Sequence, residues 1–392
     1  MPDQKEPHAD WDPRSEPVLK DQIAAFDAMR KRCPIARSPY RYTSLFRHAD
    51  VLRVLKDHET FSNAVSRFPS VPNGMDPPQH TEYRRVIERY FGPDQMTAFE
   101  PRCRQIALDL VDALPADGEV DLATGFADIF ALQVQCAFMG WPDDLHKPLQ
   151  EWTRKNHAAT LARDEAAMSD VAFEFDRYIQ DLLQVRRQAG ANAPDDATTR
   201  LMHEQVQGRD LTTDEIISII RNWTVGELAT ISASIGILAQ YLATHTALQA
   251  QLRADPALLP PAIDEILRIH APLIMNRRVT TQPVTIGGRE LAAGERLALI
   301  WASANRDEAV FGDPDEFRLD RDPALNLLYG AGIHVCPGAP LARLELRIVM
   351  QTLLAKTTRI ALVPGKDPVN GYYPASGFSS LPLHILKPST GA

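Results

Sequence analysis

Cysteine is scarce in this chain of 392 residues, which has only four. Cys33, Cys103, Cys136 and Cys336 are widely spaced, and no two form the C-x-x-C pair that a zinc site or a redox dithiol requires. No apolar run opens the sequence. The first residues, MPDQKEPHADWDPRSEP, are polar and proline-bearing, which provides neither a signal peptide nor a membrane anchor and predicts a cytoplasmic protein. Positive charge is in deficit, with 42 Lys and Arg against 51 Asp and Glu and a formal net charge of −9. That balance argues against a broad nucleic-acid-binding surface, which needs clustered cations to neutralise phosphates. Internal repeats, low-complexity tracts and long charge blocks are also missing.

What remains is an ordinary globular composition, 44% hydrophobic and 24% charged, with ample material for a deep core. No linker divides it. The chain reads as one large domain over residues 18–392, preceded by a flexible segment over residues 1–17. Apolar periodicity predicts helices over Val18–Arg32, Asp50–Lys56, Thr81–Tyr90 and Gln95–Ala113. Short strands are expected at Arg41–Phe46, Val284–Ile286, Arg289–Leu291 and Arg296–Trp301. Thr212 and Glu215 have the spacing of a capping box and open a helix that runs to about Thr244, long enough to cross the whole domain. The fold class is therefore mostly α with a small β region.

Three of the cysteines have plain readings. Cys103 and Cys136 sit in apolar helical contexts as small buried hydrophobes, and Cys33 precedes a proline in a loop. Cys336 is different. Its segment reads Leu328-Tyr329-Gly330-Ala331-Gly332-Ile333-His334-Val335-Cys336-Pro337-Gly338-Ala339-Pro340-Leu341-Ala342-Arg343, with glycines that allow a tight turn against a flat ligand and a helix beginning nearby. The positive end of that helix favours a thiolate, the form that binds iron.

This segment resembles the haem-binding loop of the cytochrome P-450 superfamily, F-G-x-G-x-H-x-C-x-G, with Tyr329 in place of the phenylalanine. The resemblance implies the P-450 fold, with haem b held between the long helix and the cysteine-loop helix and Cys336 as its axial thiolate. Pro337 lacks an N–H, so one hydrogen bond to the sulfur is absent and a more electron-rich thiolate is expected. Asp76-Pro77-Pro78-Gln79-His80-Thr81-Glu82-Tyr83-Arg84 looks like the family's D-P-P-x-H-x-x-x-R element, which assigns His80 and Arg84 to the haem propionates. Arg278 and His334 complete that set by resemblance, with Arg277 as an adjacent rival to Arg278. Glu265-Ile266-Leu267-Arg268 matches the E-x-x-R pair, and together with Arg321 it resembles the family's structural charge network.

The long helix departs from the family pattern [AG]-G-x-[DE]-T-T. It reads Thr224-Val225-Gly226-Glu227-Leu228-Ala229-Thr230, so Leu228 and Ala229 stand where the acid and the catalytic alcohol are expected. Glu227 and Thr230 lie one position to either side, and a π-bulge or register shift would bring both to bound oxygen as substitutes. In a regular helix, Glu227 is instead a contact carboxylate and Thr230 bonds its own backbone. By family architecture, Asn222, Trp223, Val225, Ile274 and Phe378 should contact a small hydrophobic substrate.

The activity implied is a haem-thiolate monooxygenase that hydroxylates or O-dealkylates its substrate. Its electrons would come from a separate ferredoxin or flavodoxin, docked at Arg85, Arg89, Arg102, Arg104, Arg343 and Arg347. The altered helix motif leaves a peroxide-dependent peroxygenase or another atypical reaction as the alternative. A haem-binding sensor without turnover is the alternative from another class.

Overall fold

The computed structural model describes residues 10–38, 42–66, 69–162, 164–371 and 376–389. It is 58% helical with a small β region. The elements that build the site, in chain order, are β1 (Ile35–Arg37), β2 (Thr43–Leu45), β3 (Phe61–Ser62), α1 (Gln79–Glu88), α2 (Pro93–Ala113), α3 (Thr213–Thr244), α4 (Leu259–Ile269), β4 (Met275–Thr280), β5 (Arg296–Ile300) and α5 (Ala339–Lys356).

The long helix α3 begins where its cap predicts. The Thr212 side chain accepts from the Glu215 N–H and the Glu215 carboxylate accepts from the Thr212 N–H, which satisfies two donors that the first turn leaves free. Its 32 residues span about 48 Å at 1.5 Å per residue. By length and composition α3 is the one helix among the described residues apolar enough to cross a membrane, but more than half of its apolar window is buried inside the protein. Ile216, Ile219, Ile220, Leu228, Ile231, Ile235 and Leu238 tie it into the main hydrophobic core.

Midway along this core helix the pattern inverts. Val225 is 42% exposed, and Gly226 and Ala229 are exposed too, although buried residues flank them on both sides. A Cβ built on Gly226 would meet no atom within 4 Å. Exposure at one face in the middle of a buried helix marks the wall of an interior cleft.

A five-stranded sheet in the order β1-β2-β5-β4-β3 forms the β region beside this helical core. In the antiparallel β4/β5 pair, Arg278 lies opposite Leu297 and Arg277 opposite Ala298. Successive side chains of a strand point to opposite faces. Arg278 is accordingly 2% exposed while Arg277 is exposed.

Some boundaries differ from the sequence reading. The expected helix Val18–Arg32 is two helices, Glu16–Lys20 and Gln22–Arg32, broken at Asp21, whose extended backbone caps the second through its carboxylate. Residues 10–17 do not behave as a loose lead-in: Trp11 is buried against Phe26 and Phe46, and Asp10 forms an ion pair with Arg289 at 2.8 Å. Residues 1–9 and Arg41 lie outside the described residues. The strand expected over Arg296–Trp301 ends at Ile300, because Trp301 opens a one-turn helix.

One buried ionic cluster joins α4 to the approach of the cysteine segment. Glu265 accepts from Arg268 Nε and Nη2 at 2.8 and 2.9 Å and from Arg321 Nε at 2.8 Å. Arg268 Nη1 also donates to the Asn305 carbonyl at 2.7 Å, and the Asn305 side chain accepts from the Leu327 N–H at 2.8 Å. The cluster thus reaches the chain two residues before Tyr329. Removing one partner of such a pair leaves a buried charge uncompensated, at a cost of roughly 3–5 kcal/mol. Glu265→Ala should lower unfolding stability by that amount in urea titration, and a loss near the exposed-pair value of about 0.5 kcal/mol would show that the cluster carries little.

Candidate haem site

The cysteine segment is a closed turn. The Cys336 N–H donates to the Tyr329 carbonyl at 2.8 Å and the Gly330 N–H to the Leu327 carbonyl at 2.9 Å. Gly330 and Gly332 have φ of +79° and +70°, a region that L side chains rarely adopt. At Gly332 there is also no room, since an added Cβ would lie 2.3 Å from the Leu55 carbonyl oxygen. The turn delivers the chain to α5 three residues after the cysteine.

Cys336 is exposed, whereas Cys103 and Cys136 are buried and Cys33 is intermediate. Yet its thiol is pushed up by burial among protein atoms, against lowering by the Gly338 and Ala339 N–H groups and by Arg84. An accessible cysteine among dense surroundings fits a position on the wall of a cleft. The two N–H groups are those beyond Pro337, which itself has none to offer.

Four cationic or hydrogen-bonding groups converge beside the cysteine segment. The His80 and His334 rings are 4.3 Å apart, and the Nε2 atoms of both are buried without a hydrogen-bond partner among the described residues. Burial lowers both imidazoles, His334 to about 3. Arg278 is pushed down to about 10 by burial, and its guanidinium donates to the Arg277 carbonyl at 2.7 Å. Arg84 donates to the Val335 carbonyl and, at 2.7 Å, to Glu88. Buried polar groups are nearly always paired, so two orphaned imidazole nitrogens beside two arginines fit an anionic ligand. This donor set suits the carboxylates of haem, and the open face of Gly226 suits a flat ring. Asp76, which sequence reasoning left without a role, fixes the approach to α1 by accepting from Ser62 Oγ and the Asn63 N–H.

The helix face opposite the sulfur is regular. α3 is α-helical throughout, with no π-bulge. The Thr230 hydroxyl donates to the Gly226 carbonyl at 2.7 Å, and Ala229 is the residue exposed at that level. Glu227 is turned toward Glu345 of α5: the Glu345 carboxyl is fully buried, one carboxyl oxygen of Glu227 is buried, and burial raises both groups, Glu227 to about 7. The register shift that would bring Glu227 and Thr230 together at oxygen is therefore absent. Glu227 and Thr230, three positions apart, neighbour each other on the helix, but on an arc beside the one that Val225, Gly226 and Ala229 expose.

The five expected substrate contacts are divided. Val225 stands on the cleft wall. The Asn222 amide is committed to the loop before His80, donating to the Val71 carbonyl at 3.0 Å and accepting from Ser70 at 3.3 Å. Ile274 and Phe378 line a cavity of about 300 Å³ together with Ile237, Gln240 and His270. Trp223 packs instead in an aromatic cluster with Tyr90, Phe91 and Phe138. The Tyr329 hydroxyl is buried with no partner among the described residues, while its ring lies under Arg343 at 4.5 Å.

A mostly helical protein that turns one accessible thiol into an interior cleft, flanked by orphaned imidazoles and buried arginines, belongs to the haem-thiolate class. Comparison with known proteins places it more narrowly. The family model described as Cytochrome P450 matches residues 144–384. Cyclomarin C epoxidase of Salinispora arenicola is 32% identical over 350 residues, covering 85% of this chain and 88% of that protein. Vitamin D(3) 25-hydroxylase of Pseudonocardia autotrophica is 33% identical over 339 residues, covering 82% of each. The structure of a cytochrome P450 from Chondromyces apiculatus superposes with a TM-score of 0.87 at 29% identity, covering 97% of this chain and 100% of that one. The chain belongs to the cytochrome P450 family, whose members are monooxygenases that bind haem through an axial cysteine thiolate.

Gly332 offers a direct check on the turn. Gly332→Ala combines a φ penalty of about 1–2 kcal/mol with the collision at Leu55, and should reduce the haem-to-protein ratio of purified enzyme several-fold. A full complement of haem would contradict the account of the turn.

Proposed function

We propose that Cys336 is the axial ligand and that the chain inserts oxygen from O2 into a small hydrophobic molecule, by hydroxylation or O-dealkylation. The observation that carries this reading is the convergence of His80, His334, Arg84 and Arg278 beside the one cysteine open to the cleft. When bound, haem supplies the activation of oxygen. The protein's share is to hold the propionates through the four donors, to place the substrate against Val225 and the Ile274–Phe378 side, and to meter protons. Relatives named as a cyclomarin C epoxidase, an erythromycin C-12 hydroxylase and a vitamin D(3) 25-hydroxylase support oxygen insertion into a small organic molecule.

Electrons come, in this reading, from a separate ferredoxin or flavodoxin in the cytoplasm. Of the six arginines assigned to the docking face, Arg85, Arg89, Arg104, Arg343 and Arg347 pair with Glu82, Glu204, Glu100, Asp264 and Glu100. Such partly exposed pairs contribute about 0–1 kcal/mol each. An acidic partner can exchange them at little cost, which keeps the face available.

Ala229 in the cleft, where an alcohol is expected, favours a second reading, in which hydrogen peroxide replaces O2 and the donor. Glu227 and Thr230 remain our candidates for proton supply, acting from the flank of α3. Product formed from a panel of apolar compounds with NADH, a ferredoxin reductase and ferredoxin should be compared with product formed from peroxide alone. We expect the donor system to be required and much of the NADH to be consumed without product. Ala229→Thr should raise product per NADH several-fold. Higher turnover with peroxide alone would favour the second reading, and no product from either system would favour a sensor.

A further inference from the structure

The helix Gln22–Arg32, the last turns of α3, the end of α4 and the strand Phe378–Ser380 enclose the cavity of about 300 Å³ that Ile274 and Phe378 line. On α3 its lining residues Ile237 and Gln240 lie well beyond Ala229 in the chain, roughly 12 and 16 Å along the helix at 1.5 Å per residue. The chain at Gly377 and Phe378 crosses α3 between those two levels. A Cβ added at Gly377, whose φ is +76°, would lie 3.0 Å from the Ala233 Cα, and one added at Gly236 would lie 3.5 Å from the Phe378 ring. Gly377 leaves no room for a side chain at this crossing. The crossing therefore stands as a partition between the exposed arc at Ala229 and the cavity beyond it.

Inside the cavity, Phe26, Ile237, Ile269 and Ala302 form buried apolar walls. The two side chains of the lining that carry a charge, Lys20 and Asp21, are of opposite sign and both exposed. Three polar groups have hydrogen-bonding capacity to spare. The Gln22 amide nitrogen donates to the Gly371 carbonyl at 3.1 Å, but its Oε1 is buried with no partner among the described residues. Neither the Gln240 amide nor the His270 ring is hydrogen-bonded to a described residue. Burial, with Arg306 and His245 nearby, pushes His270 down to about 4. Its ring is thus neutral at pH 7, with one nitrogen to donate and one to accept. A buried oxygen without a partner is rare.

We propose that this cavity is a second ligand site, separate from the substrate cleft, for a neutral apolar molecule that carries a hydroxyl group. The hydroxyl hydrogen goes to Gln22 Oε1, and its oxygen takes a donor from the Gln240 amide or the His270 ring. A charged ligand finds no buried counter-ion here, and a purely apolar one leaves Gln22 Oε1 unsatisfied. Volume sets the size. An apolar cavity of about 150 Å³ holds one benzene ring, so this one takes a molecule of about two fused rings. Ile274 and Phe378 then form the shared wall of the two spaces. The inference rests on the cavity and its lining, and stands apart from the choice of oxidant or substrate.

Calorimetry on the haem-loaded enzyme, with 4-phenylimidazole saturating the iron and filling the cleft above it, reads the second site without turnover. The probes are 2-naphthol and naphthalene. We expect one equivalent of 2-naphthol to bind about ten-fold more tightly than naphthalene, the difference that one otherwise unmet buried acceptor carries. Gln22→Leu should remove that preference by weakening 2-naphthol while naphthalene binds at least as tightly as before. Gln240→Trp, which fills the cavity, should abolish binding of both. Loss of 2-naphthol binding whenever 4-phenylimidazole is present overturns the proposal, because the probe then occupies the cleft. So does equal affinity for the two probes in wild type, or binding that neither substitution alters. Wild-type crystals soaked with 6-bromo-2-naphthol locate the probe with no variant needed: a bromine anomalous peak in the cavity beside Gln22, Gln240 and His270 is expected, and water alone there would contradict the site.

Discussion

On the proposed assignment of Cys336 as axial ligand, its sulfur is a charge facing the interior, and the contacts around it suit that requirement. The sulfur is met by backbone dipoles, the N–H groups of Gly338 and Ala339 at the start of α5, with Arg84 as the more distant charge. Delivering it there needs a turn tight enough to place Gly332 against the Leu55 backbone. Holding the turn needs an anchor, and the buried Glu265, Arg268 and Arg321 cluster reaches it through Asn305 and Leu327. The proximal side is therefore a chain of dependent contacts from α4 to the sulfur.

The opposite wall obeys a different constraint. α3 is a core helix first, and its apolar residues fix its rotation, so the cleft receives whatever falls on one arc. In this chain that arc holds Val225, Gly226 and Ala229, none of which can move a proton. The ionisable residue nearby, Glu227, falls outside the arc and faces a second carboxyl, that of Glu345, with burial raising both. The alanine exposed on this arc and the glutamate turned away from it both follow from the one rotation of α3.

Much of this was legible in the residues. The capping box at Thr212 and Glu215 located the start of α3, and the glycine-rich turn singled out Cys336, because both signals are local in sequence and tied to backbone geometry. The choice between Arg277 and Arg278 was not legible from adjacency alone. It became so once the strand was seen, since period-2 alternation buries one and exposes the other. Trp223 and Asn222 were expected to face the cleft, but helix rotation turns the first into an aromatic cluster and loop contacts occupy the second. Glu345 carried no local signal. A glutamate in an amphipathic helix looks solvated until the facing helix is known, and the contact with Glu227 joins residues more than a hundred positions apart.

The assignment on which everything else depends is the thiolate itself. The difference spectrum of the reduced, carbon-monoxide-bound enzyme reads it directly, because the axial ligand sets the position of the main haem band. The account predicts the long-wavelength band characteristic of thiolate ligation in wild type and its loss in Cys336→His with haem still bound. A nitrogen-ligated spectrum in wild type, or a thiolate spectrum that survives the substitution, would contradict it.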